Sequence, residues 1–168
     1  MRKPARKAQE AIAQYRLPKP PPGATDAGES GAIAHQHGYA RLLGIDAAAL
    51  TDDLERGFAF VTLEQLMRHT GLSQARLGDL GNIPMTTMAR RRRAGRFSPE
   101  ESDRLLRIAR VVADAIQLFE ADEAAARRWL NTPTAALAGR TPIDCIANEH
   151  GARLVEDLIG RLEHGVFT

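Results

Sequence analysis

A chain of 168 residues with 5% aromatic residues and a formal net charge of +2 suits one or two small domains with a real core, and its wealth of alanine, leucine and arginine favours an all-helical protein. One cysteine, Cys145, excludes an intramolecular disulfide framework and any multi-cysteine zinc site. No apolar run approaches the roughly 18 residues of a membrane span, and the N-terminus lacks the apolar core of a signal peptide, so a cytoplasmic protein is expected.

The charge is unevenly spread. Met1 to Lys19 holds six basic residues against Glu10, and Arg90 to Arg110 holds eight arginines against three acids. From Val111 onward there are five arginines against nine acids. A basic middle and an acidic C-terminal part point to two different partners.

Residues 1–36 are rich in Lys, Arg, Pro, Gly and Ala and read as a mostly disordered basic tail, with a transient helix possible over Ala8 to Leu17. A solubilising role is preferred over phosphate attraction there. His35 and His37 stand two apart with no third ligand nearby, so no metal site is expected. Tyr39 to Leu54 carries apolar residues at helical spacing, broken near Gly44, which predicts one or two short helices ending at Gly57. Phe58, Phe60, Val61, Leu63, Leu66 and Met67 form an apolar cluster, and Thr62 is the expected N-cap of a helix reaching Thr70 and Gly71.

Ser73 is the expected N-cap of a short helix bearing Leu77 and Leu80. Gly81-Asn82 breaks it, and asparagine tolerates the left-handed backbone of a tight turn. Gly78 is small where two helices must cross closely. Pro84 is expected at the first position of the next helix, and Gly95 just past its end. Short helix, tight turn and second helix make a helix-turn-helix. Ile83 and Met88 pin the second helix from behind. Its outer side carries small polar groups and four consecutive arginines, Arg90 to Arg93, as a helix entering a major groove requires. The candidate DNA-binding residues are Gln74, near the phosphates, and Met85, Thr86, Thr87, Arg90, Arg91 and Arg93, with Ala89 also facing the groove.

Ser98-Pro99-Glu100-Glu101 is a capping box opening a long helix to about Phe119. Leu105, Leu106, Ile108, Ala109, Val112, Ala113, Ile116 and Phe119 form its apolar stripe. Arg104, Arg107 and Arg110 lie on another face, either extending the basic surface or solvated. Asp122 to Leu130 predicts a short helix with acids first and arginines last, matching the helix dipole, and Trp129 as a core anchor. Leu137 to Arg140 is a turn, and Thr141-Pro142 starts another helix with Ile143 and Ile146 inward. Cys145 reads as a small buried residue; His150 is near, but nothing else assembles a nucleophilic site. The last helix, about Asn148 to His164, has Leu154, Val155, Leu158, Ile159 and Leu162 on its apolar face. Gly165-Val166-Phe167-Thr168 follows, an apolar pair that either meets a partner or folds back.

Several separated runs then occur in a specific order: Arg-Phe-Ser-Pro-Glu-Glu-Ser-Asp-Arg-Leu-Leu-Arg (96–107), Ala-Ala-Arg-Arg-Trp-Leu-Asn-Thr-Pro (125–133), Ala-Leu-Ala-Gly-Arg-Thr-Pro-Ile-Asp (136–144), Glu-His-Gly-Ala-Arg-Leu-Val (149–155) and Leu-Ile-Gly-Arg-Leu-Glu-His-Gly-Val-Phe (158–167). With them the chain resembles the bacterial antitoxins of the Xre/MbcA/ParS type, over roughly residues 55–168. It departs at Gly81-Asn82, where Leu-Gly is commoner, and at Met88, Ala138 and Asn148, where leucine, glycine and threonine are commoner. The resemblance implies an all-α fold: an Xre-like helix-turn-helix domain over 37–97, joined by a long helix to a small helical toxin-binding domain over 98–168. It implies a homodimer that binds operator DNA and represses its own operon, while its C-terminal domain blocks the active-site entrance of a RES-domain toxin that degrades NAD. Arg153, Arg161, His164, Val166, Phe167 and Thr168 are the expected toxin contacts. No cofactor and no catalysis of its own are implied. The alternative is a stand-alone helix-turn-helix regulator with a C-terminal dimerisation domain.

Overall fold

Ser73, Ser98, Asp122 and Thr141 each accept a hydrogen bond from the amide three residues ahead, and each opens a helix, because that oxygen satisfies one of the amides a helix leaves unpaired at its start. The computed structural model describes residues 38–163. Residues 38–43 are helical. A 3-10 turn, Ala47–Ala49, leads into α1 (Leu50–Arg56), followed by α2 (Val61–Thr70), α3 (Gln74–Leu80), α4 (Met85–Ala94) and the long α5 (Pro99–Leu118). Then come α6 (Glu123–Leu130), a second 3-10 turn (Ala135–Leu137), α7 (Pro142–Cys145) and α8 (Glu149–Glu163). Among the described residues the only extended pairing is one antiparallel bridge, Ala59 to Arg96. The architecture is all-α, as composition and capping imply. The tail over 1–36, the helix over Ala8 to Leu17, and His35 and His37 lie outside the described residues.

α5 is the spine, with α1, α2, α6 and α8 packed on it. Its capping box is complete: Ser98 accepts from the Glu101 amide, and the Glu101 carboxylate accepts from the Ser98 amide at 2.9 Å. Leu105, Ile108, Ala109, Val111, Val112, Ala115 and Ile116 are buried along it, and the buried residues from Leu42 to Ile159 form one continuous core. Ile143, Cys145 and Ile146 join that core. Trp129 is only half-buried, lying tilted against Phe119 with ring centroids 6.2 Å apart.

Two caps differ from expectation. Thr62 does not cap α2; the helix begins at Val61, with Phe60 before it, and Thr62 is buried in the first turn. Phe60 takes the cap position because the chain arrives along the Ala59–Arg96 bridge, a pairing partner invisible locally. Pro84 is itself the N-cap of α4, with an extended ψ of 148°, and the helix starts one residue later; its missing N–H costs nothing in either place.

Candidate nucleic-acid interface and C-terminal face

α3 and α4 make a helix-turn-helix whose turn depends on small side chains. A methyl group on Gly78 would stand 2.9 Å from the Ile83 carbonyl oxygen and 3.6 Å from the end of Met88. Asn82 takes the left-handed backbone, φ 49°, and the Ile83 amide donates back to the Gly78 carbonyl at 2.8 Å. Ile83 and Met88 are buried behind α4. The helix stops at Gly95, φ 73°, whose amide donates to the Arg92 carbonyl, and the arginines of the last turn lie at the negative end of the helix dipole.

The outer side of α4 shows Met85, Thr86, Ala89, Arg90 and Arg93 to solvent, with Met85 51% exposed. Thr87 is half-buried. Arg90 and Arg93 make no hydrogen bond or ion pair among the described residues. The other two arginines of the run are engaged. Arg91 donates from Nε to Glu101 at 2.6 Å and from Nη2 to the other carboxylate oxygen at 3.0 Å. Arg92 donates to the Gln74 side chain, and its guanidinium lies 5.3 Å from the centre of the Phe60 ring, a cation–π arrangement. Gln74 is thereby tied to α4 and half-buried. Burial of the Glu101 carboxyl opposes its ionisation, but the Arg91 hydrogen bonds, the Ser98 amide and the positive charges of Arg91 and Arg90 outweigh it. The net effect holds Glu101 below the usual carboxylate range.

Arg104, Arg107 and Arg110 are half-buried, and each is engaged by the protein itself. Arg104 donates to the Asn82 carbonyl at 3.1 Å, at the turn between α3 and α4. Arg107 donates to the Ile146 and Ala147 carbonyls, both at 3.1 Å, satisfying acceptors that α7 leaves unpaired at its end. Arg110 pairs with Glu156 of α8 at 2.9 Å. Two more ties join α2 and α3 to the following helices: His69 Nδ1 of α2 to Glu123 at 3.0 Å, and Arg76 of α3 to Asp144. Sequence reading missed Glu101 as the partner of Arg91. The capping pattern marked its side chain as directed, but its second role depends on a residue across the interhelical turn.

On the C-terminal side, α8 buries Val155, Leu158 and Ile159, with Leu154 and Leu162 half-buried against the core. Arg153 is exposed and pairs with Glu149 one turn back at 3.2 Å; Arg161 is exposed. His164, Val166, Phe167 and Thr168 lie outside the described residues. Among the described residues no group of three or more acidic, histidine or cysteine side chains is placed to hold a metal ion, and no helix is long and apolar enough to cross a membrane.

These two halves coincide with two family matches. Residues 49–110 match the Xre-like helix-turn-helix domain of antitoxins. Residues 114–165 match the Xre/MbcA/ParS C-terminal toxin-binding domain of antitoxins. The chain is 38% identical over 132 residues to Antitoxin Xre of Yersinia enterocolitica, an alignment that covers 76% of this chain and 89% of that protein. Antitoxin Xre of Pseudomonas putida is 30% identical over 145 residues, covering 79% and 89%. Antitoxin Xre of Photorhabdus laumondii is 30% identical over 116 residues, covering 68% and 78%. A helix-turn-helix followed by a helical toxin-binding domain, in this order and over this much of the chain, makes the protein a member of the Xre antitoxin family, a non-enzymatic regulator of a toxin–antitoxin pair.

Proposed function

We propose that this antitoxin neutralises a RES-domain toxin that degrades NAD, and that it represses its own operon as a homodimer reading operator DNA with α4. Residues 37–97 carry dimerisation and DNA reading; residues 98–168 carry toxin binding. The observation that carries the first part is the toxin-binding match over residues 114–165. Its last helix, α8, runs directly into the His164 to Thr168 segment, and the 158–167 run is part of what makes the chain resemble partners of RES toxins. Arg153, Arg161, His164, Val166, Phe167 and Thr168 form the inhibitory contact, obstructing the entrance to the toxin's active site. The second part is supported by the outer side of α4, where Met85, Thr86, Arg90 and Arg93 are exposed, with Thr87 half-buried beside them and Met88 buried behind. Base edges are read by such side chains in the major groove, and phosphates by unpaired arginines. The protein works in the cytoplasm and sits on the chromosome when repressing.

The test is co-expression with the adjacent gene product, comparing the full chain with one ending at Glu163, while growth and cellular NAD are followed. Protection by the full chain alone places the inhibitory contact at the C-terminal segment. Protection by both moves it to the faces of α6 to α8. A toxic neighbour that leaves NAD intact rejects the NAD-degrading partner.

A further inference from the structure

Four arginines in a row read as one basic patch, but α4 divides them by face. Arg90 and Arg93 are three residues apart and share one side; Met88 and Arg91 are also three apart and share another. Met88 is the one fully buried side chain of α4. A helix held by a single apolar anchor can roll about its own axis, and a roll would sweep Arg90 and Arg93 off any fixed register. Two polar ties from α5 oppose that roll. Near the C-terminal end of α4, the planar fork of Arg91 meets both oxygens of Glu101 at 2.6 and 3.0 Å, a geometry that fixes orientation as well as distance. Ahead of α4, Arg104 grips the Asn82 carbonyl at 3.1 Å and reaches the Gly81 carbonyl at 3.5 Å. Glu101 and Arg104 are neighbours on one face of α5.

We infer that Glu101 and Arg104 are positioning residues that set α4 for DNA reading, and that Arg91 is the lever of Glu101 and not a phosphate contact. The inference rests on the reading of α4 as the DNA-facing helix. For Arg91 to reach a phosphate it must abandon a carboxylate whose side chain is only 10% exposed, and a buried charge stripped of its partner is the costly case for an ion pair. Among the described residues, Arg90 and Arg93 have no such partner to give up.

The experiment measures binding of a duplex spanning the promoter of the antitoxin's own operon, and of a scrambled duplex, by fluorescence anisotropy across a potassium chloride series. Each phosphate contact contributes about 0.9 to the slope of log affinity against log salt. Arg90→Gln and Arg93→Gln are each expected to lower the slope by about that amount. Arg91→Met combined with Glu101→Gln keeps the capping box and leaves no orphan charge. It is expected to keep the wild-type slope while weakening promoter binding roughly three- to tenfold and narrowing the margin over the scrambled duplex. Arg104→Gln is expected to act in the same way. A slope lowered in the Arg91/Glu101 variant as much as in Arg90→Gln would overturn the assignment of Arg91. Unchanged affinity in both the double variant and Arg104→Gln would overturn the positioning role. Amide hydrogen exchange over residues 88–94 in the free proteins needs no DNA: faster exchange in the double variant is expected, and unchanged exchange counts against Glu101. If the wild-type protein ignores the duplex at every salt concentration, the DNA-facing reading is what has failed, and the exchange data still decide whether Glu101 holds α4.

Discussion

Two glycines of α8 carry opposite information. A methyl group on Gly151 would run into the Cys145 backbone carbonyl, whereas one on Gly160 would meet nothing within 4 Å among the described residues. Gly151 therefore has an internal reason: α7 and α8 approach each other there. Gly160 has none, and inside a helix it costs about 0.5–1 kcal/mol relative to alanine. Gly160→Ala is accordingly expected to raise the melting temperature, by roughly 1–4 °C for a chain of this size. Within the proposed function the same methyl stands on the helix that faces the toxin, where a close approach would exclude it. The expected outcome is a more stable antitoxin that protects less well in co-expression. Protection at the wild-type level alongside the raised melting temperature would remove Gly160 from the contact. Gly151→Ala, by contrast, is expected to lose about 1–3 kcal/mol from overpacking, read as a lower denaturant midpoint.

At the scale of elements, the junction of α4 and α5 has a pH signature. Glu101 is held below its ordinary value of 4.5, burial being outweighed by Arg91, the Ser98 amide and neighbouring charge. A carboxyl whose folded-state value is depressed contributes stability that is complete above its unfolded value and disappears as pH falls through the folded one. The wild-type melting temperature should therefore drop more steeply below pH 4.5 than that of Glu101→Gln, which keeps the capping box but cannot titrate. The two curves should converge in acid and separate toward neutrality, with the wild type the more stable; parallel curves would show that the Arg91 pair contributes nothing to folding. This junction also shows what could be read from sequence. The Ser98 box, the Ser73 cap, the left-handed Asn82 and the Gly95 stop were legible because each partner lies within a few residues. Glu101 as the holder of Arg91 was not, nor were the acceptors of Arg104, Arg107 and Arg110, which come from the α3–α4 turn, the end of α7 and α8. Periodicity shows which face of a helix is polar, but not whether that face meets water or another backbone. Thr62 illustrates the same limit: its capping chemistry was suitable, and a bridge to Arg96 moved the helix start.

At the scale of the molecule, the two family matches end at residue 110 and begin at residue 114, so their seam falls inside α5. Val111, Val112 and Ala113 of that seam are buried, and α5 continues through it to Leu118. A boundary inside a packed helix cannot act as a linker, because linkers are exposed stretches that few contacts cross. Here many contacts cross. α5 packs on α1 and α2, which precede the seam in the chain, and on α6 and α8, which follow it. Arg107 also stands before the seam and donates both its hydrogen bonds to carbonyls beyond it. The two matched domains thus share one continuous core among the described residues. The described body should unfold in a single calorimetric transition whose measured and van't Hoff enthalpies agree. Arg107→Met should lower the stability of that transition by about 1.5–3 kcal/mol, the range for hydrogen bonds involving a charged group, without splitting it. A chain ending at Arg110 loses α6, α8 and the last turns of α5, and should melt well below the full protein. Two resolved transitions in the full chain, or a 1–110 fragment as stable as the whole, would mean that the seam between the matches is also a seam in stability, and that toxin binding can leave the helix-turn-helix untouched.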